Sequence, residues 1–190
     1  MKKSAQVRKG GLAALRIRSG FTLVELLVVI AIIAILAAVV VLIINPLELT
    51  KRGRDAARLT DLSNLQSAIN VAVQEATGSG AIGVLCKDGG SQCEGSSNTG
   101  SRASDGTGWL QADLSSQKSV SVPTLPVDPV NDVNFHYKYC AANDAWEIDT
   151  VLESDQQKTK MTGDGGNEPD KYEVGSNLSL INASGGSCTY

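Results

Sequence analysis

Histidine occurs once in this chain, at His136, and the four cysteines include no C-x-x-C pair. Zinc sites are built from both residue types, so this scarcity argues against a zinc centre. No glycine-rich phosphate loop, nucleophile elbow or metalloprotease helix is present, and nothing in the chain supports an enzyme. Acid is absent from residues 1–20, which carry Lys2, Lys3, Arg8, Lys9, Arg16 and Arg18. These six of the 17 basic residues mask the character of the rest. Beyond residue 20, 11 basic residues face 20 acidic ones, a net charge near −9 against −3 for the whole chain. An acidic remainder argues against general nucleic-acid binding through a basic face. Charge is almost missing from Phe21 to Leu47, where Glu25 is the only ionisable side chain.

The apolar run at 21–44 gives about 36 Å of helix, enough to span a bilayer. An ordinary secretory signal peptide fits poorly. The run exceeds the usual length, Ala31, Ala34, Ala37 and Ala38 offer no A-x-A spacing, and Glu25 brings a signal peptide no benefit. A plain single-pass anchor leaves Glu25 unexplained. Basic residues before the span place the N-terminus in the cytoplasm and the C-terminal domain outside. Cysteine is confined to that outer part, at Cys86, Cys93, Cys140 and Cys188. An even count in an exported domain indicates two disulfides. Three pairings are open. Cys86–Cys93, closing a short Gly-rich loop, with Cys140–Cys188, tying the tail to a strand, is favoured.

A lone acid inside hydrocarbon costs roughly 2.5–3.5 kcal/mol on insertion scales, so Glu25 calls for a partner charge. The string Gly20-Phe21-Thr22-Leu23-Val24-Glu25 before an apolar helix resembles the processing site of type IV prepilins and type II secretion pseudopilins. The resemblance implies cleavage between Gly20 and Phe21, N-methylation of the new Phe21 amine, and pairing of Glu25 with the Phe21 amine of an adjacent subunit. The plainer readings are an intrachain contact of Glu25 with its own amine, four residues away, or snorkelling to the headgroups. The small side chains of Ala31, Ala34, Ala37 and Ala38 allow close helix approach in lipid or in a fibre core.

The function implied is a structural subunit of a type IV pilus for adhesion, motility or DNA uptake. It assembles with copies of itself or other pilins, served by a prepilin peptidase, an assembly platform and a motor ATPase. A type II secretion pseudopilin is the alternative within the class; a membrane-anchored binding module that never polymerises is the alternative outside it.

Beyond the span, Leu62, Leu65, Ile69, Ala72, Val73 and Ala76 form one apolar helical face. The expected divisions are a basic leader 1–20, a membrane or fibre-core helix 21–44, an amphipathic helix 45–77, and an exported domain 78–190. Pro46 and Gly53 mark a kink or unwound stretch within 42–54, and Thr77-Gly78-Ser79-Gly80 stops the helix. The basic stretch Lys51–Arg54 with Arg58 reads as a headgroup-facing helix end, with ion pairs such as Lys51/Asp55 and Arg58/Asp61, rather than a DNA-uptake surface.

Residues 78–108 read as a loop stiffened by the small cystine ring. Strands are expected at 135–140 and 146–153, joined through 141–145, with a third at 172–174 and weaker ones at 120–122 and 178–181. The stripe of Phe135, Tyr137, Tyr139, Trp146, Ile148 and Leu152 packs on the helix, and His136 lies opposite it in solvent. The fold class is α+β and pilin-like, a long helix against a small antiparallel sheet. The turn Leu125–Asn131, rich in proline and aspartate, is similar to one before the sheet in pseudopilins and many pilins. In 164–173, Asp164, Asn167, Asp170 and Glu173 offer oxygen ligands on a Gly-rich turn suited to calcium, which some secretion pseudopilins bind. The plainer reading is a solvated acidic turn. The sequons at Asn177 and Asn182 are too short a pattern to carry a prediction.

Overall fold

A computed structural model of the chain describes residues 20–76, 80–119, 121–183 and 186–190. The basic leader, most of the Thr77–Gly80 stop, Val120 and the Ser184 end of the second sequon lie outside the described residues. The chain divides after Ile44 into two units, each taken by itself.

The first unit holds α1, Leu23–Ile43. Branched and straight-chain aliphatics fill it on every side, and all its described large apolar side chains are exposed. Leu23–Val41 is long and apolar enough to cross a membrane. A helix with no polar face gains nothing from water, so its partner is lipid or other helices. It ends where Ile44 and Asn45 turn to extended backbone.

The second unit opens with α2, Pro46–Glu75. Pro46 starts this helix, because a missing N–H and a fixed φ suit the first helical position. Asn45 caps it, accepting from the amides of Leu47 at 3.2 Å and Glu48 at 3.3 Å. Gly53 does not break it: α2 runs through that position. A single helical glycine costs only about 1 kcal/mol, and ion pairs of Arg52 with Glu48 and Arg54 with Glu153 hold the residues on either side.

The buried face of α2 is Asp55, Arg58, Leu62, Leu65, Ile69 and Ala72, a three- and four-residue rhythm that keeps one stripe inward. A single turn, α3 (Ile82–Leu85), follows. Four strands then make an antiparallel meander in the order β1 (Gln92–Ser96), β2 (Lys138–Ala142), β3 (Ala145–Thr150) and β4 (Tyr172–Gly175). Leu62, Leu65, Ile69 and Ala72 share one core with Trp109, Tyr137, Tyr139, Trp146, Ile148 and Val174. Buried aromatics keep their polar ends satisfied: Trp109 Nε1 donates to the Pro126 carbonyl and Tyr139 to the Leu85 carbonyl, each at 2.9 Å.

The sheet differs from the expected strands. β2 begins at Lys138 rather than at 135, because residues 132–135 form a turn on the Asp132 carboxylate, and residues 121–122 lie in no strand. β1 lies inside the stretch read as loop; its sequence has no apolar alternation, and its place comes from pairing with β2 and from the Cys86–Cys93 bond. The β2–β3 turn is two residues, not five, because Ala142 pairs with Ala145 and Asn143 takes the left-handed backbone such a turn needs. β3 stops at Thr150, which frees Glu153 for Arg54 and Arg58. Leu178–Ile181 forms no strand, only an isolated bridge between Ile181 and Cys188.

Residues after β4 cover the outer face of the sheet. There Leu180, Ile181 and Cys188 make a second small core with Cys140 and Ala142. His136 is buried rather than solvated. It stacks on Tyr190 at 4.6 Å between ring centres, and burial lowers its pKa.

Candidate functional site

The N-terminal site is built at the first turn of α1. Thr22 is the N-cap, and its hydroxyl accepts from the Glu25 amide at 3.2 Å. Glu25 reaches back, its carboxylate accepting from the Thr22 amide and hydroxyl, both at 2.9 Å. This reciprocal capping box satisfies amides that the helix leaves open. Its T-x-x-E signature is local, carried by the spacing of Thr22 and Glu25 in the sequence. Gly20 and Phe21 precede the helix and are exposed. A Cβ at Gly20 would meet nothing within 4 Å, so the fold of this chain does not require glycine there. Chemically, the arrangement offers an accessible Gly20–Phe21 bond ahead of a capped apolar helix.

A second cluster lies in the globular unit. Arg58 is fully buried and is gripped by three carboxylates. It donates to Asp128 through Nε at 2.6 Å and Nη2 at 2.9 Å, and through Nη1 to Asp55 at 2.8 Å and Glu153 at 2.7 Å. Burial alone would lower its pKa; the bonds to Asp128 and Glu153 outweigh that and raise it. Asp55 also accepts from the amides of Glu153 and Ser154. Asp128 accepts from the amides of Val130 and Asn131, so the proline-and-aspartate turn exists to present this carboxylate. The expected pairs Lys51/Asp55 and Arg58/Asp61 give way to this network; Asp61 accepts from Tyr137 instead. Every charge is answered by a partner, which marks a structural tie.

The third cluster is acidic. Glu147 and Asp149 on β3 and Glu173 on β4 are buried, and one carboxylate oxygen from each lies within 4.8 Å of the others. It shares only Glu173 with the four residues expected to hold calcium. Asp164 is committed to the amides of Gly166 at 3.0 Å and Glu173 at 2.9 Å. The Asn167 amide, oriented to suit its neighbours, donates to the Leu178 carbonyl at 2.8 Å and to Glu173 Oε1 at 3.1 Å. Asp170 is exposed. The loop thus holds Glu173 in place through Asp164 and Asn167.

Burial, with the charges of Glu147 and Glu173, pushes Asp149 up to about 9. Burial also raises Glu173 to about 7, and it raises Glu147 against the bonds from the Ile181 and Leu180 amides. Three buried carboxylates in one place can hold a metal ion. In the sequence, the alternation Glu147-Ile148-Asp149 has the pattern of a strand with a solvent-facing side; the segment after β4 is what buries it. Cys86 is bonded to Cys93 and Cys140 to Cys188, with Cα atoms 5.8 and 6.1 Å apart.

No curated protein and no solved structure matches the chain. One family does match, the prokaryotic N-terminal methylation motif, over residues 15–41. The match covers the Gly20–Glu25 turn and most of α1, and with the apolar helix it implies a membrane-anchored prepilin. Proteins of this pilin-like kind are structural rather than enzymes. The chain carries the prokaryotic N-terminal methylation motif typical of type IV pilins and type II secretion pseudopilins, on an α+β, pilin-like fold.

Proposed function

We propose that the protein is a structural subunit of a bacterial type IV pilus, drawn from the cytoplasmic membrane into a helical fibre. A prepilin peptidase cuts the exposed Gly20–Phe21 bond and the Phe21 amine is methylated. The cut releases a cationic amine whose reference pKa is about 8. Glu25 then leaves its cap on Thr22 to meet the Phe21 amine of a neighbouring subunit, where attraction in low dielectric offsets desolvation and fixes register. The α1 helices pack as the fibre core, with the acidic domain outward. An assembly platform and a motor ATPase drive the addition of subunits.

The observation that carries this reading is α1 itself, apolar on every side and exposed, with one carboxylate at its first turn. An anchor needs the helix and, at most, the Thr22 cap that Glu25 completes; assembly gives the carboxylate a partner charge as well. Replacing Glu25 with Ala separates the two. The expected result is a chain that still inserts in the membrane and yields no sheared fibres. Normal fibre yield from Glu25→Ala would overturn the reading.

A further inference from the structure

We propose that Glu147, Asp149 and Glu173 bind a hard divalent cation of calcium size, held between β3 and β4 beneath the C-terminal tail. The site is independent of the assembly reading, since it lies wholly within the globular unit.

Register makes the first argument. Asp149 and Glu173 stand directly opposite each other on antiparallel strands, with Glu147 two pairs along on the same face, opposite Gly175. Like charges in that position repel and weaken a sheet. Here all three are also buried, at 0%, 0% and 2% exposure.

Unpartnered oxygens make the second. Both Asp149 carboxyl oxygens, Glu147 Oε1 and Glu173 Oε2 are buried and meet no hydrogen-bond donor from outside the cluster; these oxygens of Asp149 and Glu147 have only each other. Lys171 is the basic group whose charge bears most on Asp149, yet its ammonium sits over the Tyr190 ring, 3.3 Å from the centroid. Buried carboxyl groups without outside donors are expensive whether charged or protonated, and a cation among the three, displacing their protons, removes the expense.

The donor set and its span select the ion. Three carboxylates and no nitrogen or sulfur favour a hard cation. An ion with bonds of about 2.3–2.6 Å bridges oxygens up to roughly 5 Å apart, whereas bonds of about 2.0–2.1 Å reach only about 4.2 Å. The three oxygens, all within 4.8 Å of one another, lie inside the reach of the larger ion.

The remaining oxygens are fixed by the backbone. Glu147 Oε2 accepts from the amides of Leu180 at 2.7 Å and Ile181 at 2.8 Å. Glu173 Oε1 accepts from the Glu168 amide at 3.0 Å. Gly166 has no side chain because the Glu173 carboxylate occupies that space: a Cβ there would lie 1.0 Å from Glu173 Oε2. The ion would tie β3, β4, the 164–168 loop and the tail together.

The test uses the full chain in detergent micelles, stripped with chelator and titrated with calcium or magnesium chloride. Calorimetry reads binding and circular dichroism reads melting. The expected result is one calcium per chain, weaker magnesium binding, and a melting temperature higher by roughly 5–10 °C at a hundredfold excess over Kd. Asp149→Asn should weaken calcium at least about tenfold. Glu173→Gln, altering a residue that lines an open cleft, gives the same reading should Asp149→Asn fail to fold. Absence of calcium heat and of any melting shift would overturn the site, as would unchanged affinity in the folded variants. The three carboxyls would then be held by shared protons alone.

Discussion

Arg58 on α2 and Asp128 in the turn before β2 form a two-bond pair, at 2.6 and 2.9 Å, with neither side chain exposed to solvent. The residues are 70 apart in sequence. The pair fastens the amphipathic helix to the connection that leads into the sheet, and the charges of Asp55 and Glu153 complete it. Removing one partner of such a pair strands the others in a dry interior. Arg58→Ala should therefore lower the domain's stability by about 3–5 kcal/mol, read by urea denaturation. Arg54→Ala, which removes a partly exposed partner of Glu153, should cost much less. Equal losses would mean that Arg58 holds the fold through its stem alone.

The same network gives a dependence on acid. The bonds from Arg54 and Arg58 lower Glu153 from 4.5 to about 2. A carboxylate depressed in the folded state stabilises it above its unfolded pKa. That stabilisation is lost as pH falls from about 4.5 towards 2. Thermal melting across that window should show the loss, and Glu153→Gln should flatten it while lowering stability at neutral pH. An unchanged acid slope in Glu153→Gln would assign the slope to other carboxyls.

The two disulfides should differ in worth. Cys140–Cys188 closes 48 residues and Cys86–Cys93 closes 7. Loop-closure entropy gives about 4 kcal/mol for the first and about 2.4 kcal/mol for the second. Cys188→Ser should also free the segment beyond β4, visible as faster amide exchange at Leu180 and Ile181. Protection unchanged at those amides would mean that Glu147 holds the tail without help.

Gly95 lies in β1 with the Trp109 backbone against it: a Cβ there would sit 2.0 Å from the Trp109 carbonyl oxygen. Neither side can yield cheaply, since both are main chain. Gly95→Ala should destabilise the domain by about 1–3 kcal/mol, measured by thermal melting. A neutral result would mean that β1 detaches readily from the sheet edge.

β1 shows where sequence reading ran out. α2, β2 and β3 announce themselves by period, through Leu62, Leu65 and Ile69 on one side and Tyr137, Tyr139, Trp146 and Ile148 in and beside the strands on the other. Gln92–Ser96 has no such period. It is a strand because the β2 edge and a disulfide hold it there, and both are long-range facts. Thr22 and Glu25 were legible as a cap by local spacing. The acidic cluster was not, because Glu147 and Asp149 look solvated until Leu180, Ile181 and Cys188 fold over that face of the sheet. His136 misled for the same reason: Tyr190, which covers it, is 54 residues away.

The central claim concerns what becomes of Gly20 and Phe21. Mass spectrometry of the native chain taken from assembled material tests it most directly. The account predicts a chain that begins at Phe21 with a methylated amine and lacks Met1–Gly20. An intact Met1–Gly20 leader on assembled material would contradict it.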